Sequence, residues 1–191
     1  MTSDKKKLFL PLFLGFIMIA SVFGAIFYGF NDSSGKGQVI DYKGQRFSAI
    51  SGYWKTRISN QEFNFAYNPI QVETLEINAF PIEEFNSGNK IYVSYDPNEN
   101  MVKGLLEVQN NLLPLFSRTI IRACPEDMSG CENLPLKTCD DAIDGNKVLL
   151  IELTNASKTE YSNGCYAIRG QDNEIAMTVD RIAFSLLGLT E

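Results

Sequence analysis

The chain has 191 residues, 45% of them hydrophobic and 21% charged, with a formal net charge of −6 and no histidine. The missing histidine removes the commonest general base, the usual partner of a catalytic serine or cysteine, and the commonest zinc ligand. From Gln38 onward, 13 lysines and arginines stand against 21 acids, a balance of −8; such a surface is a poor match for nucleic acid or anionic lipid headgroups.

Residues 1–7 are basic through Lys5, Lys6 and Lys7, and residues 8–30, LFLPLFLGFIMIASVFGAIFYGF, carry no charge. As a helix, 8–30 would span about 35 Å against a hydrocarbon core of about 30 Å. It is longer than a signal-peptide apolar region and ends in bulky aromatics rather than a small-residue cleavage site. An uncleaved single-pass anchor is therefore expected. The lysine triplet orients it with the N-terminus in the cytoplasm and the main domain outside the cell membrane. A pilin-type segment would hold a processing site and a glutamate within the run, and neither is present. Ser21, Ala25 and Gly29 recur every four residues, as do Ala20 and Gly24, a spacing that lets two membrane helices approach closely. Residues 31–37, NDSSGKG, read as a linker.

Residues 38–191 read as one extracytoplasmic domain. GQVIDY and QRFSAI flank Lys43-Gly44, and YWKTRI and EFNFAY flank Ser59-Asn60. Both pairs read as hairpins, the second through strict alternation of aromatic and polar residues. Trp54 reads as a core anchor. NPIQVETLEI predicts a short helix capped by Asn68 with Pro69 in its first position. NKIYVSY predicts a strand. Residues 96–116 predict a helix, starting at Asp96 or Asn98 and ended by Pro114, that buries Val102, Leu105, Leu106, Val108 and Leu112. SRTIIRA returns as a strand, and a right-handed crossover would pair it parallel to the strand at 89–95.

Beyond the cysteine-rich stretch, NKVLLIEL has the composition of a central strand buried on both faces. KTEYS and CYAIRG flank Asn163-Gly164, a type I′ hairpin signature. The last segment spaces Ile175, Val179, Ile182 and Leu186 by three and four, and it predicts an amphipathic helix ending near Gly188. The order implies an α+β fold, with an N-terminal transmembrane helix followed by one mixed sheet, helices packed on it and a disulfide-stapled loop.

CPEDMSGCENLPLKTCDD, residues 124–141, holds Cys124, Cys131 and Cys139, and the fourth cysteine is Cys165. A zinc knuckle needs two ligands two to four residues apart, and a thiol–disulfide exchange site needs Cys-x-x-Cys. Neither spacing occurs, so two disulfides in an oxidising compartment are expected. Four cysteines allow three pairings. We prefer Cys124–Cys131, which closes a small loop, with Cys139–Cys165, which ties the loop's end to the 165–170 strand. DDAIDG resembles an EF-hand only superficially, because Ala142 and Ile151 stand where ligands belong. No metal, cofactor or catalytic residue is assigned. Asn31 and Asn155 each begin an N-x-S sequon; Asn155, in a turn far from the anchor, is the eligible one.

YWKTRISNQEFNFAYNP, LKTCDD, NGCYAIRG and VDRIAFSLLGL, behind a lysine-flanked anchor, resemble a group of small single-pass membrane proteins of archaea with reduced genomes. The resemblance implies a surface location but no catalytic residue and no substrate. Two functions follow. One is a membrane-anchored binding or assembly module of the cell envelope, with a protein partner there and a helix partner through Ser21, Ala25 and Gly29. The alternative is an extracytoplasmic enzyme, a hydrolase or thiol–disulfide exchanger, using a cysteine of 124–139.

Overall fold

The computed structural model describes residues 37–190. The expected anchor at 8–30, its Ser21, Ala25 and Gly29 face, Asn31 and most of the linker lie outside the described residues. Among the described residues no helix is long and apolar enough to cross a membrane.

Two hairpins open the domain. β1 (Val39–Tyr42), β2 (Gln45–Ile50), β3 (Tyr53–Ile58) and β4 (Gln61–Phe65) form an antiparallel meander in chain order. Lys43-Gly44 and Ser59-Asn60 both take positive φ, the backbone a two-residue I′ turn requires. The alternation in β4 buries Phe63 and Phe65 on one face, beside Phe47 of β2, while Trp54 lies half-buried at the cluster's margin.

The second sheet is mixed. It contains β5 (Lys90–Ser94), β6 (Thr119–Ala123), β7 (Asn146–Leu153), β8 (Lys158–Ser162) and β9 (Cys165–Gly170), in the order β6-β5-β7-β9-β8. β6, β5, β7 and β9 run parallel, and β8 joins β9 antiparallel through Asn163-Gly164. β7 is central, and its Val148, Leu149, Leu150 and Ile151 are all buried. Ile91, Val93, Leu149, Ile151, Tyr166 and Ile168 form one core face, and Val148, Leu150, Cys165 and Ala167 lie in a smaller cluster on the other.

The single mixed sheet expected from the sequence is thus two sheets. The reason lies in α4 (Asp172–Leu186), which buries more than one stripe. Ile175, Val179 and Ile182 pack on the five-stranded sheet, while Ala183 and Phe184 pack on the meander. Phe184 lies 4.3 Å from Phe65 and 5.8 Å from Phe47 between ring centroids. The meander therefore finds its apolar cover on a helix and has no need to join the other sheet's edge.

Three helices differ from expectation. α1 (Pro69–Val72) is a single turn, though Asn68 and Gln71 form the reciprocal cap that its sequence implies. α2 (Ile82–Ser87) was not expected; its anchor is Phe85, tilted against Phe80 and stacked on Phe116. α3 (Val102–Glu107) starts later than Asp96 or Asn98, then passes into a π-helical turn (Val108–Leu112) and a 3-10 turn containing Pro114. Its buried apolar phase is Met101, Val108 and Leu112, with Leu105 partly buried, while Val102 and Leu106 face solvent.

Asp172 and Gly104 set that phase. Asp172 accepts the Gly104 N–H at 2.7 Å and the Lys103 N–H at 3.2 Å, which turns the start of α3 towards α4. A β-carbon on Gly104 would stand 2.7 Å from Ile175 Cγ2. Overpacking of this kind costs about 1–3 kcal/mol, against a helix-propensity gain of at most about 1 kcal/mol for alanine. Gly104→Ala should therefore lower the urea-unfolding free energy; an unchanged or higher midpoint would show that the two helices can part freely.

Candidate functional site

The cysteine-rich segment is paired. Cys124–Cys131 and Cys139–Cys165 are disulfides, and no cysteine is free. Cys124, Cys131 and Cys165 are buried. The segment caps the second face of the five-stranded sheet. Ser94 donates to the Lys137 carbonyl at 2.6 Å, and Cys124 exchanges backbone hydrogen bonds with Pro135 and Lys137. Cys139 and Ala142 pack onto the small cluster beneath. With so few apolar side chains, the loop depends on its cross-links; by chain entropy the 26-residue closure contributes about 3 kcal/mol and the 7-residue one about 2 kcal/mol.

The acids of DDAIDG serve this loop. Asp141 accepts the Thr138 N–H at 2.8 Å and pairs with Lys137 at 3.3 Å; the Thr138 N–H, first among these, holds its carboxyl below the usual range. Asp144 takes positive φ in the turn before Gly145. Among the described residues no three acid or cysteine side chains gather as a metal cage would need. Asn155 is exposed in the turn between β7 and β8, away from these groups.

A polar cluster that sequence reasoning missed joins the two sheets. Glu107, at the end of α3, and Asp180, in α4, are 1% and 0% exposed and act on each other as charged neighbours. Asp180 Oδ2 also accepts the Tyr67 N–H at 2.8 Å, just beyond β4. Asn111, in the π turn, donates to Glu107 and to the Asn64 carbonyl of β4. Lys103 overlooks the cluster, its Nζ 2.7 Å from the Tyr67 hydroxyl and 4.2 Å from the ring centroid. Burial first, and then the neighbouring Glu107 charge, hold the Asp180 carboxyl well above the usual range. Burial raises Glu107 as well, against hydrogen bonds from Asp180, the Ala66 backbone and Asn111 and the charge of Lys103. Two buried acids side by side do not both ionise, so the pair keeps a proton between them. The extra turn residue of the π segment brings Asn111 alongside.

The folded chain keeps a proton that the unfolded chain releases above about pH 4. Stability is full on the acid side and falls as pH rises towards the raised folded value. Asp180→Asn keeps an acceptor for Tyr67 and a donor for Glu107 without titrating, so it should gain stability over the native chain as pH rises. Asp180→Leu strands both partners and should cost about 3 kcal/mol. Urea unfolding across the acid-to-neutral range reads both; parallel curves for Asp180→Asn and the native chain would remove the shared proton.

An apolar groove lies between α3, its π turn and the edge of the five-stranded sheet. It encloses about 270 Å³ and is lined by Val93, Tyr95, Leu105, Val108, Gln109, Leu113, Ile120 and Arg122. The lining is largely apolar. Arg122 bounds it, donating to the Tyr95 hydroxyl and lying 5.5 Å from the ring centroid. One wall is β6, an edge strand with no further named strand beside it among the described residues. Sequence reasoning missed this groove too, since β6, α3 and the π turn form it jointly; the signal in β6 is Ile120-Ile121 between two arginines.

Comparison with protein-family models, with curated proteins and with solved structures found no match to this chain.

Proposed function

We propose that the chain is a membrane-anchored binding or assembly module of a cell envelope. Residues 8–30 hold it in the bilayer, the N-terminus stays in the cytoplasm, and the α+β domain works outside. The observation that carries the binding role is the apolar groove beside the open edge of β6. Ligand sites are concave and mostly apolar, with a few polar groups at the rim, and this groove has that make-up. The paired cysteines suit an oxidising exterior, and the resemblance to small single-pass archaeal proteins agrees with the location.

Methyl-labelled full-length protein titrated with indole tests the groove. Shifts should concentrate on Val93, Leu105, Val108, Leu113 and Ile120 and spare Val148 and Leu150 on the opposite sheet face; Leu113→Arg should abolish them. Shifts spread over the whole surface, or none at all, would remove the binding surface. Protease added to intact cells should digest the domain, whereas a protected domain would contradict the topology.

A further inference from the structure

The backbone of β6 says which groups are open. Tyr95 donates its N–H to the Ala123 carbonyl, and Ala123 pairs with Ser94. In a parallel ladder, residues then alternate in direction. Thr119, Ile121 and Ala123 spend their N–H and C=O groups on β5, whereas Arg118, Ile120 and Arg122 turn theirs to the outer edge. Cys124, next in that outward series, confirms the alternation, since its N–H and C=O are taken by Pro135 and Lys137 of the stapled loop. That short bridge stops at Cys124, so the outward groups of Ile120 and Arg122 lie beyond it. Side chains alternate with the same period. Ile120 and Arg122, paired with Ile91 and Val93, stand on the groove side.

The charge at this edge is opposite to that of the domain. Arg118 and Arg122 are exposed, and neither is in an ion pair among the described residues. We propose that β6 is completed by an extended segment of a partner protein with the pattern acid-x-apolar-x-acid. The central apolar side chain lies beside Ile120 and enters the groove, and the two carboxylates face Arg118 and Arg122. Main-chain hydrogen bonds would supply affinity and the alternate side chains specificity, the usual division in strand addition. The inference rests on the groove as the binding surface.

Two other occupants fit worse. Two copies paired antiparallel about Ile120 would set Arg118 against Arg122, and like charges directly opposite are destabilising. The chain's own residues 1–36 hold only two acids, Asp4 and Asp32, too far apart for the pattern.

The test uses full-length protein and three blocked peptides, followed by amide shifts at Ile120 and Arg122. The first is Glu-Thr-Leu-Thr-Glu, the second has lysine for both glutamates, and the third is the first with its threonine and leucine nitrogens methylated. The first should bind; the second should be weaker by about tenfold or more, since two exposed ion pairs are lost. The third should not bind. Arg118→Gln should weaken the first peptide about threefold, the loss of one exposed ion pair, while leaving the indole shifts in place. Equal binding of the first and second peptides, undiminished binding of the third, or a dimer held through β6 would overturn the proposal. If indole binds and the first peptide does not, the occupant is wrong and the groove reading survives; if neither binds, both fall.

Discussion

Everything described in this domain depends on α4 burying two adjoining faces. A helix with one apolar stripe serves one sheet. Here Ile175, Val179 and Ile182 cover the five-stranded sheet, and Ala183 and Phe184, set round the helix, cover the meander. The region between those contacts cannot reach water, and Asp180 lies in it. A lone buried carboxylate would be too costly to hold. The protein meets the demand by placing Glu107 beside it, keeping one proton between the two acids, and surrounding them with Asn111, the Tyr67 N–H and, further out, Lys103. The contacts reach β4 through Asn64 and Tyr67 and reach α3 through Glu107, so the same few groups fasten the meander to the rest.

The groove follows from that arrangement. Asp172 and Gly104 draw the start of α3 against α4, and the π turn then carries Asn111 to the buried acids. The other side of the same helix is left leaning over the sheet edge, where Leu105, Val108 and Leu113 overhang Ile120. The stapled loop covers the opposite sheet face and closes the edge of β6 at Cys124 alone. Its disulfides hold the loop on the sheet, and the binding we propose falls to β6 and α3.

The strands and α4 were legible in the sequence because local signals coincide there. Asn163-Gly164 between alternating segments leaves little choice, and the run of NKVLLIEL suits only a strand with two dry faces. The disulfide pairing preferred from loop lengths is the one present. What could not be read depends on partners distant in the chain. Val102 and Leu106 look like core residues by period, yet Asp172, 70 and 66 positions away, turns them outward. Asp180 looks like a surface acid because a period count registers one buried stripe and α4 has two; Glu107 looks like one because its burial comes from α3 packing on α4. The division into two sheets has the same origin, since the first four strands find their cover in the last helix. α2 is too short and too polar for periodicity to register; Phe85 is its one fully buried side chain, with Ile82 packed beside the core.

The proposed partner binding requires that β6 present an open, strand-ready edge beside the groove. Amide hydrogen exchange of the free full-length protein tests it most directly. Ile121 and Ala123, bonded to β5, should exchange slowly, while Ile120 and Arg122 should exchange orders of magnitude faster. Slow exchange at all four positions in the free monomer would mean that the edge is already covered, and the claim would fail.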